Sequence, residues 1–440
     1  VKKGGFDIVI GNPPYISHDK IIKEQKNYLK NVFKSYEPFA DIYCYFIEKG
    51  LHLQNFSGII CFITSNSFLR SEYGSPIRKL LLQKNTILQI INIEDSQLFE
   101  SAIVNAVILI SKNGRNKENL IKVVNNTYDP NISFHEFINT EHFMYENSFL
   151  HTKNWNLRET HLTKLFLKIK SNHKTLEEYN TKIRLGLATG YNNAFIIDEE
   201  KKNTFLSKDR NNSRIIKPIL RGRDIDRYYY SYPNLYIILY KNGVNIKKDY
   251  PTIFSYFNSP GSSFKKRGAK GQHWTNLRAC SFFDDFNLEK IIWIELSDKG
   301  RFTLCDEEIY LLNTAYFLLP PTGFNSKFLL AILNSKTIQF YLESIAETSG
   351  MGVNRWINNF VKDFPIPSID KSLQTKFEVI ANEVLMEKKR NPQADTKHLE
   401  DQIDKMVYKL YNLTYEEVKI IDPEIEKIIP EKDYEKFDIK

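Results

Sequence analysis

The 440-residue sequence predicts an α/β domain, then a β-rich α+β domain, then a helical tail. Three observations carry this reading. Apolar strands alternate with helical repeats up to about residue 112, short β-type runs parted by turns and basic loops begin near residue 174, and two helical stripes follow residue 370.

The first strand lies in FDIVIGNPPYI, residues 6–16, and runs into Asn12-Pro13-Pro14-Tyr15. Two prolines fix φ, end the strand and leave a stiff loop whose carbonyls can accept hydrogen bonds. An Asn amide oxygen and a backbone carbonyl beside an aromatic ring suit a planar group that donates two hydrogen bonds, such as a nucleobase amine. The same tetrapeptide also reads as turn punctuation, with Asn12 satisfying a turn and Tyr15 covering a core.

Residues 38–54 place Ile42, Phe46, Ile47 and Leu51 at helical spacing. SGIICFITSNSFL reads as a buried strand, SPIRKLLLQ as a helix, and TILQIINIED and NAVILISK as strands. That order implies an α/β sheet whose ligand loops sit at the carboxyl edge, where Asn12 lies. Residues 113–157 lose periodicity and gain Asn and Lys, which predicts a connector with little core. The boundaries expected are 1–125 for the α/β part, 126–173 for the connector, 174–370 for the β-rich domain and 371–440 for the tail.

In the β-rich domain Arg221, Arg223 and Arg227 form one basic cluster. Lys265, Lys266, Arg267 and Lys270 form a second with His273 and Trp274, and Arg355-Trp356 marks a third. Cations beside glycines suit DNA phosphates, while Gln272 and Asn354 could pair with base edges. Any one cluster is more often a solvated face than a contact; three in one domain beside the Asn12 loop point toward DNA. In the tail, Phe377, Ile380, Ala381, Val384 and Leu385 form one stripe, and Leu399, Ile403, Met406, Val407, Leu410 and Tyr411 another, which predicts two antiparallel helices.

Lys plus Arg exceed Asp plus Glu by 61 to 53, a net charge of +8 that permits a polyanionic partner without requiring one. Cys44, Cys61, Cys280 and Cys305 are scattered, with no C-x-x-C pair. No metal site or disulfide framework is expected, and a reducing cytoplasm is the expected compartment. No stretch reads as a signal peptide or a membrane span.

Together these segments resemble gamma-class adenine-specific DNA methyltransferases of type IIG restriction-modification systems. NPPY, ADIYCYFIEKGL, GIICFITSNSFL and LFESAIVNAVILIS are similar to the family's motifs IV to VIII. TGYNNAFIID, IIKPILRGRDI, LLAILNSKTIQFYL and GMGVNRWINNFVKDFPIP resemble its target-recognition domain, related to that of type I specificity subunits. IDKMVYKLYNLTYEEVKII is similar to its helical tail.

The resemblance implies a partial Rossmann-like methyltransferase sheet, duplex DNA as partner and S-adenosylmethionine as cofactor. It places catalysis on Asn12, Pro13, Pro14 and Tyr15, with the Asn12 oxygen and Pro13 carbonyl on the adenine amine. Tyr15 and Phe99 would stack on the flipped base, and Phe46 would line the cofactor adenine. The family's Gly-rich cofactor loop should precede the Asn12 strand. The glycines at 186 and 190 and the run Gly350-Met351-Gly352 do not follow an apolar strand with a suitable acid, so they are weak substitutes. The expectation is therefore the carboxyl-terminal part of a longer enzyme, active only when joined to a cofactor-binding half, with or without a nuclease domain. Two alternatives stand beside it: a non-catalytic DNA-specificity module, and a loop that acts on an RNA base or a protein glutamine amide.

Overall fold

A computed structural model describes residues 4–93, 105–116, 118–259, 261–268, 270–278, 280–346, 348–349 and 353–439. The chain divides into two compact units, residues 1–166 and 167–440.

The first unit is built on a six-stranded mixed sheet in the order β1-β2-β4-β3-β5-β6. Its strands are β1 Phe6–Gly11, β2 Gln54–Ser65, β3 Asn85–Ile93, β4 Ala106–Asn113, β5 Leu120–Asn126 and β6 His142–Glu146. Helices α1 Lys23–Val32 and α2 Tyr43–Leu53 connect β1 to β2, α3 Ser75–Lys84 connects β2 to β3, and α4 Phe134–Thr140 connects β5 to β6. β1 pairs parallel to β2 and β3 pairs parallel to β5, so both pairs need helical crossovers or an intervening strand.

β1 lies at the sheet edge, and its apolar side chains are unusually open. Phe6 is 48%, Ile8 62% and Ile10 77% exposed. Parallel strands normally read as apolar runs because both faces are covered, and natural edges are usually short or charged. An apolar parallel edge of this kind has the character of an interior strand.

The stretch expected to be a connector with little core is part of this unit. β6 closes the sheet, and Tyr145, Trp155 and Leu157 are buried in the same cluster as Ile60 and Ile90. Its asparagines make the connections that apolar periodicity would otherwise signal. Asn119 Nδ2 donates to the Ile87 carbonyl at 2.6 Å, and Asn147 Nδ2 donates to the Asn116 carbonyl at 2.7 Å. Arg78, fully buried, donates to four carbonyls, those of Phe68, Ser71, Thr152 and Lys153, and so ties the turn after β2 to this stretch. Burial lowers its pKa to about 10.

The second unit carries two four-stranded sheets over one core. One is antiparallel, in the order Phe302–Cys305, Lys290–Ile294, Ala315–Leu319, Lys182–Leu185. The other is mixed, in the order Tyr310–Leu311, Ile216–Leu220, Tyr236–Ile238, Ile196–Ile197. Phe195, Ile219, Phe257, Phe264, Ile292 and Phe317 are all buried in the shared cluster. Gly186 belongs to this packing, since a Cβ there would meet the backbone of Leu311 and Leu312.

The two tail helices, Lys371–Arg390 and Lys397–Leu410, pack within this unit. Phe377 meets Phe328 edge-on at 5.3 Å. A charged network holds the second helix: Arg227 pairs with Glu400, the Lys336 N–H donates to Asp404 at 2.9 Å, and Lys336 Nζ donates to Asp422 at 2.7 Å.

Asp404 is buried among Arg227, Lys336, Asp422 and Tyr408, and desolvation raises its pKa from 3.8 to about 6 despite the two cations. Between those values the folded state keeps a proton that the unfolded chain has lost, so stability falls as pH rises from about 4 to 6. Asp404→Asn keeps the acceptor and removes the charge. It should raise stability above pH 6 by roughly 1–3 kcal/mol and converge on the parent near pH 4, read by thermal melts across that range.

Candidate target-base site and nucleic-acid interface

The β1–β2 register aligns Gly11 with Phe62, which sets the carboxyl end of β1 and the residue after it, Asn12. A Cβ on Gly11 would overlap the Phe62 ring, and a Cβ on Gly50 would lie 2.6 Å from the ring's other edge. Two glycines thus give up their side chains to seat one aromatic ring under the loop. Beyond it, the Ile16 N–H donates to the Pro14 carbonyl at 3.0 Å, the Ile42 N–H to the Ile16 carbonyl at 3.1 Å, and the His18 N–H to Asp41 at 2.9 Å. The proline loop is therefore tied to the residues that enter α2.

Within it Pro13 is buried, while Asn12, Pro14 and Tyr15 are exposed. Neither the Asn12 carboxamide nor the Pro13 carbonyl has a hydrogen-bond partner among the described residues. Partial burial raises the Tyr15 pKa, which keeps its hydroxyl protonated. The loop therefore offers two adjacent acceptors and a half-open aromatic ring.

Phe46 departs from the expected stripe. Tyr43, Cys44, Ile47 and Leu51 form the buried face of α2, and Phe46 points outward, 43% exposed. Its ring is available to a ligand and is not core. Phe99 lies outside the described residues.

A polar relay along the carboxyl edge had no sequence signal, because its members come from separate strands. Asn66 Nδ2 donates to Asn92 Oδ1 at 2.9 Å, Asn92 Nδ2 donates to Asn125 Oδ1 at 2.5 Å, and Asn125 Nδ2 donates to the Leu157 carbonyl at 2.8 Å. A carbonyl can only accept, so the terminal contact sets the orientation of all three amides. The Asn66 N–H also donates to the Asn105 carbonyl at 3.0 Å, which fixes the turn after β2.

In the second unit the basic clusters separate into committed and free charges. Arg267 was expected at DNA and is instead buried, donating to the carbonyls of Thr189, Phe264, Trp274 and Asn276, with the Phe195 and Phe264 rings each 4.7 Å away. A guanidinium with its donors filled by backbone holds a loop together and cannot reach a phosphate. Arg221 is held in a bidentate pair with Asp224, at 2.9 and 2.7 Å. Arg355 is half exposed and pairs with Glu295 at 3.0 Å. Lys265 lies over the Trp274 ring at 4.8 Å, and Arg223, Lys266 and Lys270 are exposed without an ion-pair partner among the described residues. Trp356 is core, its Nε1 donating to the Ser297 carbonyl at 3.2 Å.

Two substitutions test these assignments. Gly11→Ala should cost about 1–3 kcal/mol by overpacking Phe62, and adding Phe62→Leu should recover part of the loss in thermal melts. Arg267→Gln should destabilise the second unit by on the order of 2–3 kcal/mol, because carbonyls lose charged donors, whereas a surface phosphate contact would leave the melt unchanged.

Comparison with known proteins gives matches to both parts of the chain. Residues 1–99 match the family described as Eco57I restriction-modification methylase, and residues 217–366 match the TaqI-like C-terminal specificity domain. The type II methyltransferase M.BstVI of Geobacillus stearothermophilus is 21% identical over 96% of this chain and 76% of its own length. M.HindII of Haemophilus influenzae is 24% identical over 85% of this chain and 77% of its own length. Among solved structures, the type IIL restriction-modification enzyme MmeI in complex with DNA shares the fold, with a TM-score of 0.62 and 15% identity, over 98% of this chain and 57% of that one. In sequence the chain is thus similar to a restriction-modification methylase of the Eco57I type over its first 99 residues and to a TaqI-like C-terminal specificity domain over residues 217–366.

Proposed function

We propose that this chain is the target-base and DNA-recognition part of a site-specific DNA adenine N6-methyltransferase of a restriction-modification system. The observation that carries it is the pair of unpartnered acceptors, Asn12 Oδ1 and the Pro13 carbonyl, on a loop that also presents Tyr15.

Adenine's amino lone pair is delocalised into the ring, which makes it a poor nucleophile. Two acceptors that bind its N–H groups favour the geometry in which the pair is localised and available. Extruding the base from the duplex costs a few kcal/mol, and stacking on Tyr15 offsets part of that. S-adenosylmethionine supplies the methyl group when bound. Of that cofactor's contacts, the described residues offer the outward ring of Phe46, which does not by itself make a site. The open apolar edge of β1 supports a neighbouring strand that brings the main cofactor contacts, in the longer enzyme that M.BstVI-like relatives suggest. The free cysteines fit a reducing cytoplasm.

In the enzyme carrying both halves, Asn12→Ala should lower methyl incorporation into adenine by about 10²–10³-fold while gel-shift affinity for the cognate duplex survives. Tyr15→Ala should weaken both, by roughly 1–3 kcal/mol in base stacking. Methylation by Asn12→Ala at the parent rate would reduce the loop to a turn and favour the non-catalytic specificity module.

A further inference from the structure

Arg223, Lys299 and Arg301 come from separate segments of the second unit yet line one cavity of about 520 Å³ beside the end of the helix Lys371–Arg390. Only Arg223 belonged to a basic run in the sequence; Lys299 and Arg301 reach the same place from the loop before Phe302–Cys305.

The charges around this cleft do not cancel. Of the acids that line it, Asp224 is taken by Arg221, Glu400 by Arg227, and Asp226 lies 3.9 Å from Arg301. Arg301 also pairs with Asp298 at 2.9 Å, and Lys388 Nζ donates to the Ala394 carbonyl at 2.7 Å. Arg223 and the Lys299 ammonium have no partner among the described residues. The Arg301 Nε–H is buried with no acceptor, an expensive state for a charged donor.

We propose that this cleft grips a phosphodiester of the DNA backbone, with Arg223 and Lys299 supplying the charge. The proposal rests on the duplex-binding part of the function proposed above and adds residues to it. The cavity accommodates a sugar-phosphate unit but is far too small for a duplex, so the rest of the DNA lies outside it. Such a contact sets register and affinity without reading sequence.

The test is duplex affinity by fluorescence anisotropy over a salt series, on proteins whose thermal melts match the parent. One neutralised phosphate contributes about 0.9 to the slope of log K against log salt, and the two cations share one phosphodiester, so Arg223→Gln and Lys299→Gln should each flatten the slope by part of that and the double variant by about 0.9. The ratio of cognate to non-cognate affinity should stay constant in all three. Lys419→Gln, a lysine already held by Glu416 and Glu426, should match the parent.

Slopes equal to the parent's in the Arg223 and Lys299 variants, or an equal flattening in Lys419→Gln, would overturn the cleft while leaving duplex binding intact. A parent that binds no duplex at low salt would overturn the recognition reading itself, and the cleft with it. Inorganic phosphate that saturates the cleft without displacing duplex would mark a small-anion site and also overturn the proposal.

Discussion

The parallel pairing of β1 with β2 is the constraint from which the first unit follows. A parallel pair cannot be closed by a hairpin, so α1 and α2 must cross over between the strands, and α2 lies against the sheet. The Phe62 ring fills the room left by Gly11 and Gly50, which fixes the height at which β1 ends. The chain then meets two prolines, and neither can continue the ladder. Asn12 is therefore delivered to the carboxyl edge by packing beneath it, and its amide has no hydrogen-bond partner among the described residues.

Buried arginines organise the irregular parts of both units. Arg78 holds the turn after β2 against residues 152–153, and Arg267 holds the loop around Trp274. A loop folded inward exposes carbonyls with no ladder to join, and a guanidinium can serve several at once in a fixed plane. Arg227 works similarly, with Glu400 balancing its charge. A basic residue in a loop-rich domain is thus as often an internal fastener as a contact for a polyanion.

That competition explains what the sequence could and could not reveal. The alternation of strands and helices, the β-rich second unit and the paired tail helices were legible, because each rests on apolar periodicity that burial enforces. The segment around Trp155 was not, because asparagine side chains and Arg78 hold it by backbone contacts that leave no period. Phe46 fitted both the helical stripe and a cofactor-lining role in the sequence, since one extra aromatic hardly disturbs a helical repeat; its outward ring removes the core reading. The basic clusters were visible as composition, but which charges stay free depends on how the folded chain aims their neighbours: Asp224 for Arg221, Glu295 for Arg355 and four carbonyls for Arg267, of which only Glu295 and the Thr189 carbonyl are distant in sequence. The asparagine relay along β2, β3 and β5 had no signal at all, for its members meet only once the sheet is assembled.

Unused polar capacity is what separates function from scaffold in both units. Folding satisfies buried donors and acceptors almost completely, since each one left over costs free energy. In the first unit the Asn12 amide oxygen and the Pro13 carbonyl have no donor among the described residues and sit on an outer loop, whereas an orphan such as Asn85 Oδ1 is sealed in the core; what the loop lacks is a donor with two hydrogens in one plane. In the second unit Arg223 and the Lys299 ammonium line an open cleft with no anion beside them among the described residues, whereas orphans such as Asn212 Oδ1 and the Tyr228 hydroxyl are closed off in the core; what the cleft lacks is an anion. On the function proposed above, an adenine amine would meet the first need and a DNA phosphate the second, and each unit would then serve a different group of one substrate.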